Sequence, residues 1–345
     1  MEQVNDPGSR GVLSVVIPTV GRSILERTLE SLARAAGAES LDVLAVGRIP
    51  DATLAERIRE VGRRFRRFEH VNVSFESGDS SRKKTAGLEA ARTDVVAFLD
   101  DDVVVSPDWP VRILEPFADP DVGMVSGPSL VPDDLPLLAR LAGLSLASWA
   151  AGYVAERYRM STNGARDIRW SRIIGCNMAF RRSVLSGLGG FDPRFWPGEE
   201  MVAAFGVATQ GWRIVFQPAA WVHHYPRATL AGFVRQIYGY GATRIRLIRA
   251  GLECEPTTLA PAVMVGGALG LAVAACFSAM AARVLAAAVA LYLLADAGFT
   301  LDMLRRTRRP SDVLLLVFIP VMHLVYGLAE WREFLRPNED LSGRV

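Results

Sequence analysis

Over residues 12–216 short apolar runs alternate with helical patterns, an order that predicts a sheet of parallel strands covered by helices. Residues 12–17 read as a buried strand and residues 18–22 as a loop. The tetrad Ser23-Ile24-Leu25-Glu26 then has the spacing of a capping box, opening a helix that closes near Gly37. Residues 41–46 make a second strand. A helix capped by Asp51 or Thr53 runs to about Phe68, residues 71–75 form a third strand, residues 83–92 a short helix, and residues 94–99 a fourth strand. That strand ends on Asp100-Asp101-Asp102, and open α/β sheets bind their ligands beyond the carboxyl ends of the strands.

The pattern changes after residue 258. Residues 259–282 are 24 positions without a charge, long enough to cross a hydrocarbon layer about 30 Å thick. Residues 284–301 can return across it despite Asp296, and residues 313–329, with Pro320 and His323 inside, predict a third span or a re-entrant piece. Residues 135–158 are mostly apolar through Val154 but carry Arg140, Ser145, Ser148 and Gly152. They predict a helix of the N-terminal half, in its core or lying at a membrane surface, and not a span. Arg235, Arg244, Arg246 and Arg249 precede the first span, and Arg305, Arg306, Arg308 and Arg309 follow the second, so both places are expected on the cytoplasmic side. The predicted organisation is a cytoplasmic domain, residues 1–250, and a membrane domain, residues 251–345.

Composition narrows the class. Half of the 345 residues are hydrophobic, 22% are charged and mean hydropathy is +0.20, too apolar for a disordered chain. A net charge of +2 gives no global attraction to nucleic acid, so no nucleic-acid partner is expected. Cys176, Cys254 and Cys276 have no C-x-x-C spacing, which argues against a disulfide framework or a structural zinc site. The polar, acidic start lacks the basic opening and cleavage region of a signal peptide, and the first domain is expected to stay in the cytoplasm.

Three adjacent carboxylates at a strand end repel one another, by about 4 kcal/mol for a pair at 4 Å and an effective dielectric constant of 20, so a cation or solvent must relieve them. Asp100 and Asp102 could share one hard divalent ion, Mg2+ or Mn2+, with positions left for phosphate oxygens; a solvated acidic turn is the alternative. Lysine usage is a second clue. Of 39 basic residues only Lys83 and Lys84 are lysines, and a lysine pair beside Arg82 suits a diphosphate or nucleotide contact, or a solvated helix start. Thr19 and Arg22 lie in the loop after the first strand, near the end of the sheet that carries the triplet. His224 follows an apolar aromatic stretch and by itself reads as a packing residue.

The strings Leu13-Ser14-Val15-Val16-Ile17-Pro18-Thr19, Arg82-Lys83-Lys84-Thr85-Ala86-Gly87-Leu88 and Phe98-Leu99-Asp100-Asp101-Asp102 together resemble the nucleotide-sugar half of family 2 glycosyltransferases. Ile174-Gly175-Cys176-Asn177-Met178-Ala179-Phe180, Gly189-Gly190-Phe191-Asp192, Gly198-Glu199-Glu200 and Gly211-Trp212-Arg213-Ile214 are similar to that family's acceptor half. His224-Tyr225-Pro226-Arg227 and the run from Arg235 to Gly241 resemble the membrane-bound exopolysaccharide branch, of succinoglycan-synthesis type. The resemblance covers about residues 12–330. It implies an α/β chain of GT-A fold with C-terminal transmembrane helices, and inverting transfer of a sugar from a nucleoside-diphosphate sugar with Mg2+ or Mn2+. It places Asp102, Asp100 and His224 at the metal, and Pro18, Thr19, Arg22, Arg82, Lys83, Lys84, Asp100 and Asp101 on the nucleotide sugar. Glu200, with Glu199 as neighbour or substitute, takes the place of the base, and Arg235, Gln236 and Tyr238 lie on the acceptor and diphosphate side. The implied acceptor is a lipid-linked or polysaccharide glycan, at a multi-pass site in the cytoplasmic (inner) membrane with the catalytic domain facing the cytoplasm.

Two departures stand out. Val46-Gly47-Arg48-Ile49-Pro50-Asp51 occupies the stretch where relatives of this type carry an acidic pair for the base or ribose, with Asp79 as a possible substitute. Glu199-Glu200 replaces the commoner Glu-Asp, leaving open which carboxylate is the base, and both also complement the dipole of a helix beginning there. A sugar-1-phosphate nucleotidyltransferase would need a glycine-rich phosphate loop, whereas residues 18–22 hold one glycine. A non-enzymatic membrane scaffold with a degenerate sugar-nucleotide domain is the third reading.

Overall fold

The structure, a computed structural model, describes residues 13–75, 79–161, 163–225, 229–253, 255 and 257–337. Cys254, Pro226 and Arg227 of the motifs above lie outside the described residues. The chain forms two compact units, Met1–Leu130 with Arg159–Tyr225, and Val131–Tyr158 with Pro226–Val345.

The first unit holds strands β1 (Leu13–Thr19), β2 (Leu41–Gly47), β3 (Arg67–Val71), β4 (Val95–Leu99), β5 (Val103–Val105), β6 (Val122–Ser126), β7 (Ser129–Leu130), β8 (Arg166–Asp167), β9 (Asn177–Arg181), β10 (Arg213–Phe216) and β11 (Val222–His224). Helices α1 (Ile24–Ala33), α2 (Ala52–Gly62), α3 (Asp79–Ala90) and α4 (Trp109–Leu114) fall among the first strands. After α5 (Leu137–Ala147), which belongs to the second unit, come α6 (Arg182–Gly187) and α7 (Glu199–Thr209). Eight strands make one sheet in the order β3-β2-β1-β4-β9-β6-β10-β8, and β5-β11-β7 make a second.

β1, β2 and β4 are nearly continuous apolar runs, as strands covered on both faces must be. β3 through β4 pair in parallel, but β9 runs antiparallel to both β4 and β6, so the sheet is mixed and not parallel throughout. The cause is the connection: between β7 and β8 the chain departs for the second unit and does not make the crossover helix that a parallel entry needs. Asp51 caps α2, its Oδ1 accepting from the amides of Thr53 (2.9 Å) and Leu54 (3.2 Å). Ser23 makes no side-chain cap, so the capping box predicted for α1 does not form. Helix α3 lies so close to β1 that a Cβ on Gly87 would sit 2.3 Å from Cγ1 of fully buried Val16. Gly87→Ala is therefore expected to cost about 1–3 kcal/mol by overpacking, read as a lower melting temperature in detergent; an unchanged midpoint would show that α3 can move away freely.

The second unit contains α5, a 3-10 segment Trp149–Tyr158, α8 (Leu230–Arg249), α9 (Ala260–Ala275), α10 (Ala279–Thr307) and α11 (Leu315–Leu335). The stretch predicted as one helix of the N-terminal half is instead two pieces bent by 99°, packed with the C-terminal helices: Leu141, Leu144 and Leu146 share a core with Phe233, Ile237, Met303, Phe318 and Ile319. Arg140 forms a buried ion pair with Asp312 and donates to Ser311 Oγ (2.9 Å), and His323 Nε2 hydrogen-bonds the Ala150 carbonyl oxygen at 2.9 Å. These partners explain why a segment with Arg140 and Ser145 can be apolar and buried at once.

Two helical stretches, Ala279–Thr307 and Pro310–Leu335, are long and apolar enough to cross a membrane, and the bent pair would make a third if it counts as one span. The uncharged run 259–282 does not form a single helix. α9 stops at Ala275 after 16 residues, short of the roughly 20 needed for a span, and Ser278 caps α10 by accepting from the Ala281 amide. The segment predicted at 284–301 consequently begins earlier and runs to Thr307, and that predicted at 313–329 lies within Pro310–Leu335.

Candidate active site

Parallel pairing of β1 with β4 brings Thr19 and the acidic triplet to the same edge of the sheet. Thr19 Oγ1 donates to Asp101 Oδ2 (2.7 Å), Thr28 Oγ1 of α1 donates to the Asp101 carbonyl (2.9 Å), and Arg22 pairs with Asp101 and, at 3.0 Å, with Asp102 Oδ2. Asp101 thus spends its carboxylate on the loop between β1 and α1. The second sheet supplies the other side: β11 pairs antiparallel with β5, setting His224 opposite Val103, and the Tyr225 amide donates to the Asp102 carbonyl (2.9 Å). Strand alternation separates the two histidines. His223 rests 4.8 Å from the Trp221 ring, whereas His224 Nε2 lies 3.2 Å from Asp102 Oδ1.

Asp100, Asp102 and His224 each offer a ligand atom, all within 4.8 Å of one another. A span of about twice the metal–oxygen distance, roughly 2.1 Å for hard divalent ions, is what one shared ion requires. Asp102 Oδ1 is buried and, among the described residues, accepts no well-formed hydrogen bond. Two carboxylates and an imidazole of this geometry fit a divalent cation of the Mg2+ or Mn2+ type. The repulsion expected in the triplet is relieved partly by side chains. Burial alone would push the Asp102 carboxyl up, but His224 and Arg22 outweigh it and hold it below the usual range; burial and the Asp102 charge push Asp100 upward.

On the far side of β9, Gly198-Glu199-Glu200 opens α7, where acids complement the helix dipole. Glu199 is buried on Lys84 of α3, with Nζ 2.9 Å from Oε1 and side-chain exposures of 4% for the lysine and 2% for the glutamate. Its Oε2 accepts from the Gly198 amide (3.1 Å). Glu200 is half-buried beside Gly175, where a Cβ would lie 3.1 Å from its Cδ. Burial lowers the tendency of Lys84 to stay charged, but Glu199, Asp100 and Glu200 more than restore it, so one ammonium sits in the field of both acidic groups. Burial would raise Glu199, yet Lys84 and backbone amides depress it below its ordinary 4.5. A depressed folded-state carboxyl stabilises the fold above that value and loses its contribution as pH falls. Between about pH 5 and pH 3 the native protein should thus lose more thermal stability than Glu199→Gln; equal losses would remove the pair from the acid response.

The other predicted positions are placed as follows. Lys83 donates to the Thr19 carbonyl (2.7 Å) and pairs with Asp79, so both are engaged inside the chain. Pro18 is half-buried in β1 opposite Val46, and Arg82 is exposed with its guanidinium 5.9 Å from the Phe75 ring. Arg235, Gln236 and Tyr238 are on α8, in the second unit: Arg235 is exposed, Gln236 donates to Tyr240 OH (3.0 Å), and Tyr238 is bonded by Arg332. One residue not predicted in this role is Asn177. Fully buried, it accepts from Trp109 Nε1 (2.9 Å) and donates to the carbonyls of Ala220 (2.8 Å) and Pro128 (3.2 Å), fixing the segment that leads into β11 and His224. The signal was an amide in the apolar run Cys176-Asn177-Met178-Ala179-Phe180.

A mixed sheet with an acidic cluster at the strand ends and an acid-opened helix beside it defines a GT-A-like α/β fold. Residues 9–238 match the family described as glycosyltransferase like family 2, and the chain belongs to that family. The pre-mycofactocin glycosyltransferase of Mycobacterium tuberculosis is 30% identical over 188 residues, 54% of this chain and 37% of that protein, so the match spans well under half of the relative's length. The succinoglycan biosynthesis protein ExoM of Rhizobium meliloti is 28% identical over 246 residues, 68% of this chain and 75% of that protein. Among solved structures, the mannosyltransferase PcManGT from Pyrobaculum calidifontis, in complex with GDP-Man and Mn2+, superposes with a TM-score of 0.63 at 18% identity, covering 94% of this chain and 88% of its own.

Proposed function

We propose that this chain is a metal-dependent, inverting glycosyltransferase that moves a sugar from a nucleoside-diphosphate sugar to a lipid-linked or polysaccharide acceptor. The observation that carries the reading is the pairing of a cation-ready cluster, Asp100, Asp102 and His224, with the carboxylates that open α7, both within reach of the Lys84 charge. When bound at that cluster, a divalent ion supplies neutralisation of the charge on the departing diphosphate. The chain's own residues do the rest. Arg22, partly exposed on Asp101 and Asp102, and Thr19 line the approach to the strand ends. Glu200 takes the proton of the acceptor hydroxyl as that oxygen bonds to the anomeric carbon and the bond to diphosphate breaks on the opposite side. Glu200 suits the role better than Glu199, whose carboxylate is buried on Lys84.

The two long apolar helical stretches support a membrane setting. The arginines of α8, which precede the apolar helices, favour a multi-pass arrangement in the cytoplasmic membrane with the catalytic unit facing the cytoplasm. The test is a panel of nucleotide sugars, GDP-mannose among them, offered to the purified full-length protein with and without Mn2+. Donor consumption that requires the ion supports the reading; a chain that binds no nucleotide sugar with Mn2+ present overturns it.

A further inference from the structure

Lys84 stands at a junction. It extends from α3, whose own position is fixed against β1 by the close approach of Gly87 to Val16. Its neighbour Thr85 accepts the Phe191 amide at 3.0 Å, so α3 also grips the loop that leads into α7. The Lys84 ammonium is 5.5 Å from the Phe191 ring and 2.9 Å from Glu199 Oε1, and almost none of it reaches solvent. Glu199 in turn is tied to the first turn of α7 by the Gly198 amide. A phosphate ligand would need that ammonium exposed, and it is spent on a buried carboxylate. In a chain whose basic residues are arginines apart from Lys83 and Lys84, a compact ammonium is also what a small closed pocket admits, since a guanidinium would bring five donors to satisfy.

We propose that Lys84 is a positioning residue, not a donor ligand: through its buried pair with Glu199 it fixes the first turn of α7, so that Glu200 is held facing the acidic triplet. The inference rests on the reading of Glu200 as the base. Lys84 stays charged by virtue of Glu199, Asp100 and Glu200, which keeps the pair intact across the working pH range. Removing one partner leaves an uncompensated buried charge, whereas removing both charges does not.

The experiment compares native protein, Lys84→Met and the double variant Lys84→Met with Glu199→Gln, all full length in detergent, using the donor selected by the panel. Lys84→Met is expected to turn over at least 30-fold more slowly at saturating donor, with donor KM and the affinity for the nucleoside diphosphate plus Mn2+ within 2-fold of native. The double variant should recover the melting temperature but not the turnover rate. A tenfold loss of nucleoside-diphosphate affinity in Lys84→Met overturns the inference, because it makes Lys84 a ligand; recovery of turnover in the double variant overturns it as well, because the pair then matters only for stability. If native protein consumes no donor, the functional reading fails separately. Hydrogen exchange then decides: amides of residues 199–201 exchanging at least tenfold faster in the double variant support the positioning role, and unchanged exchange refutes it.

Discussion

Asp102→Asn is expected to abolish Mn2+ binding and to lower sugar transfer by at least about 10³-fold, corresponding to roughly 4 kcal/mol of lost transition-state stabilisation. One carboxylate oxygen of Asp102 faces Arg22 and the other His224. An amide of the same size keeps the shape but brings an N–H where an anion was, so that either Arg22 or His224 meets a donor in place of a carboxylate oxygen. The fold should persist, since the Tyr225 amide bonds to the Asp102 backbone carbonyl and not to its side chain. Mn2+ titration, circular dichroism and turnover measured on the same preparation check all three parts. Undiminished transfer by Asp102→Asn with native Mn2+ affinity would remove this residue from the site.

The second large effect is expected at Glu200. Glu200→Gln should slow turnover by about 10²–10⁴-fold, the usual contribution of a positioned base, with little change in donor KM. It should also erase the acid limb of the kcat profile, because the group that must be deprotonated is gone. Glu199→Gln, by contrast, leaves a titratable Glu200 and so keeps the acid limb even where it slows the reaction. If the limb vanished in Glu199→Gln and survived in Glu200→Gln, the roles of the two acids would be reversed.

What could be read from sequence depended on whether an element's stability is local. β1, β2 and β4 announce themselves because a strand buried on both faces must be apolar throughout. β3 was displaced: it forms at Arg67–Val71, earlier than residues 71–75, because its partner β2 offers Asp42 to the guanidinium of Arg66 and draws a charged segment into pairing. α2 ends at Gly62 and does not reach Phe68, since the chain must turn to enter β3. The triplet, His224 and the two glutamates were visible as residue types. Their pairings were not: nothing local links Lys84 to Glu199, 115 positions apart, or Asn177 to Ala220. The helix breaks at Ser148 and residues 276–278 were hidden for the opposite reason, as hydropathy is blind to backbone direction.

The intervening segment 131–158 has a practical corollary for anyone wishing to work with the catalytic half in plain buffer. Cutting the polypeptide after Tyr225 retains α5 yet discards Phe233, Ile237, Met303, Phe318 and Ile319, the side chains that shelter its leucines. Such a fragment should emerge as an oily aggregate, and replacing the excursion with a short hydrophilic bridge between Leu130 and Arg159 is the change expected to bring it into solution.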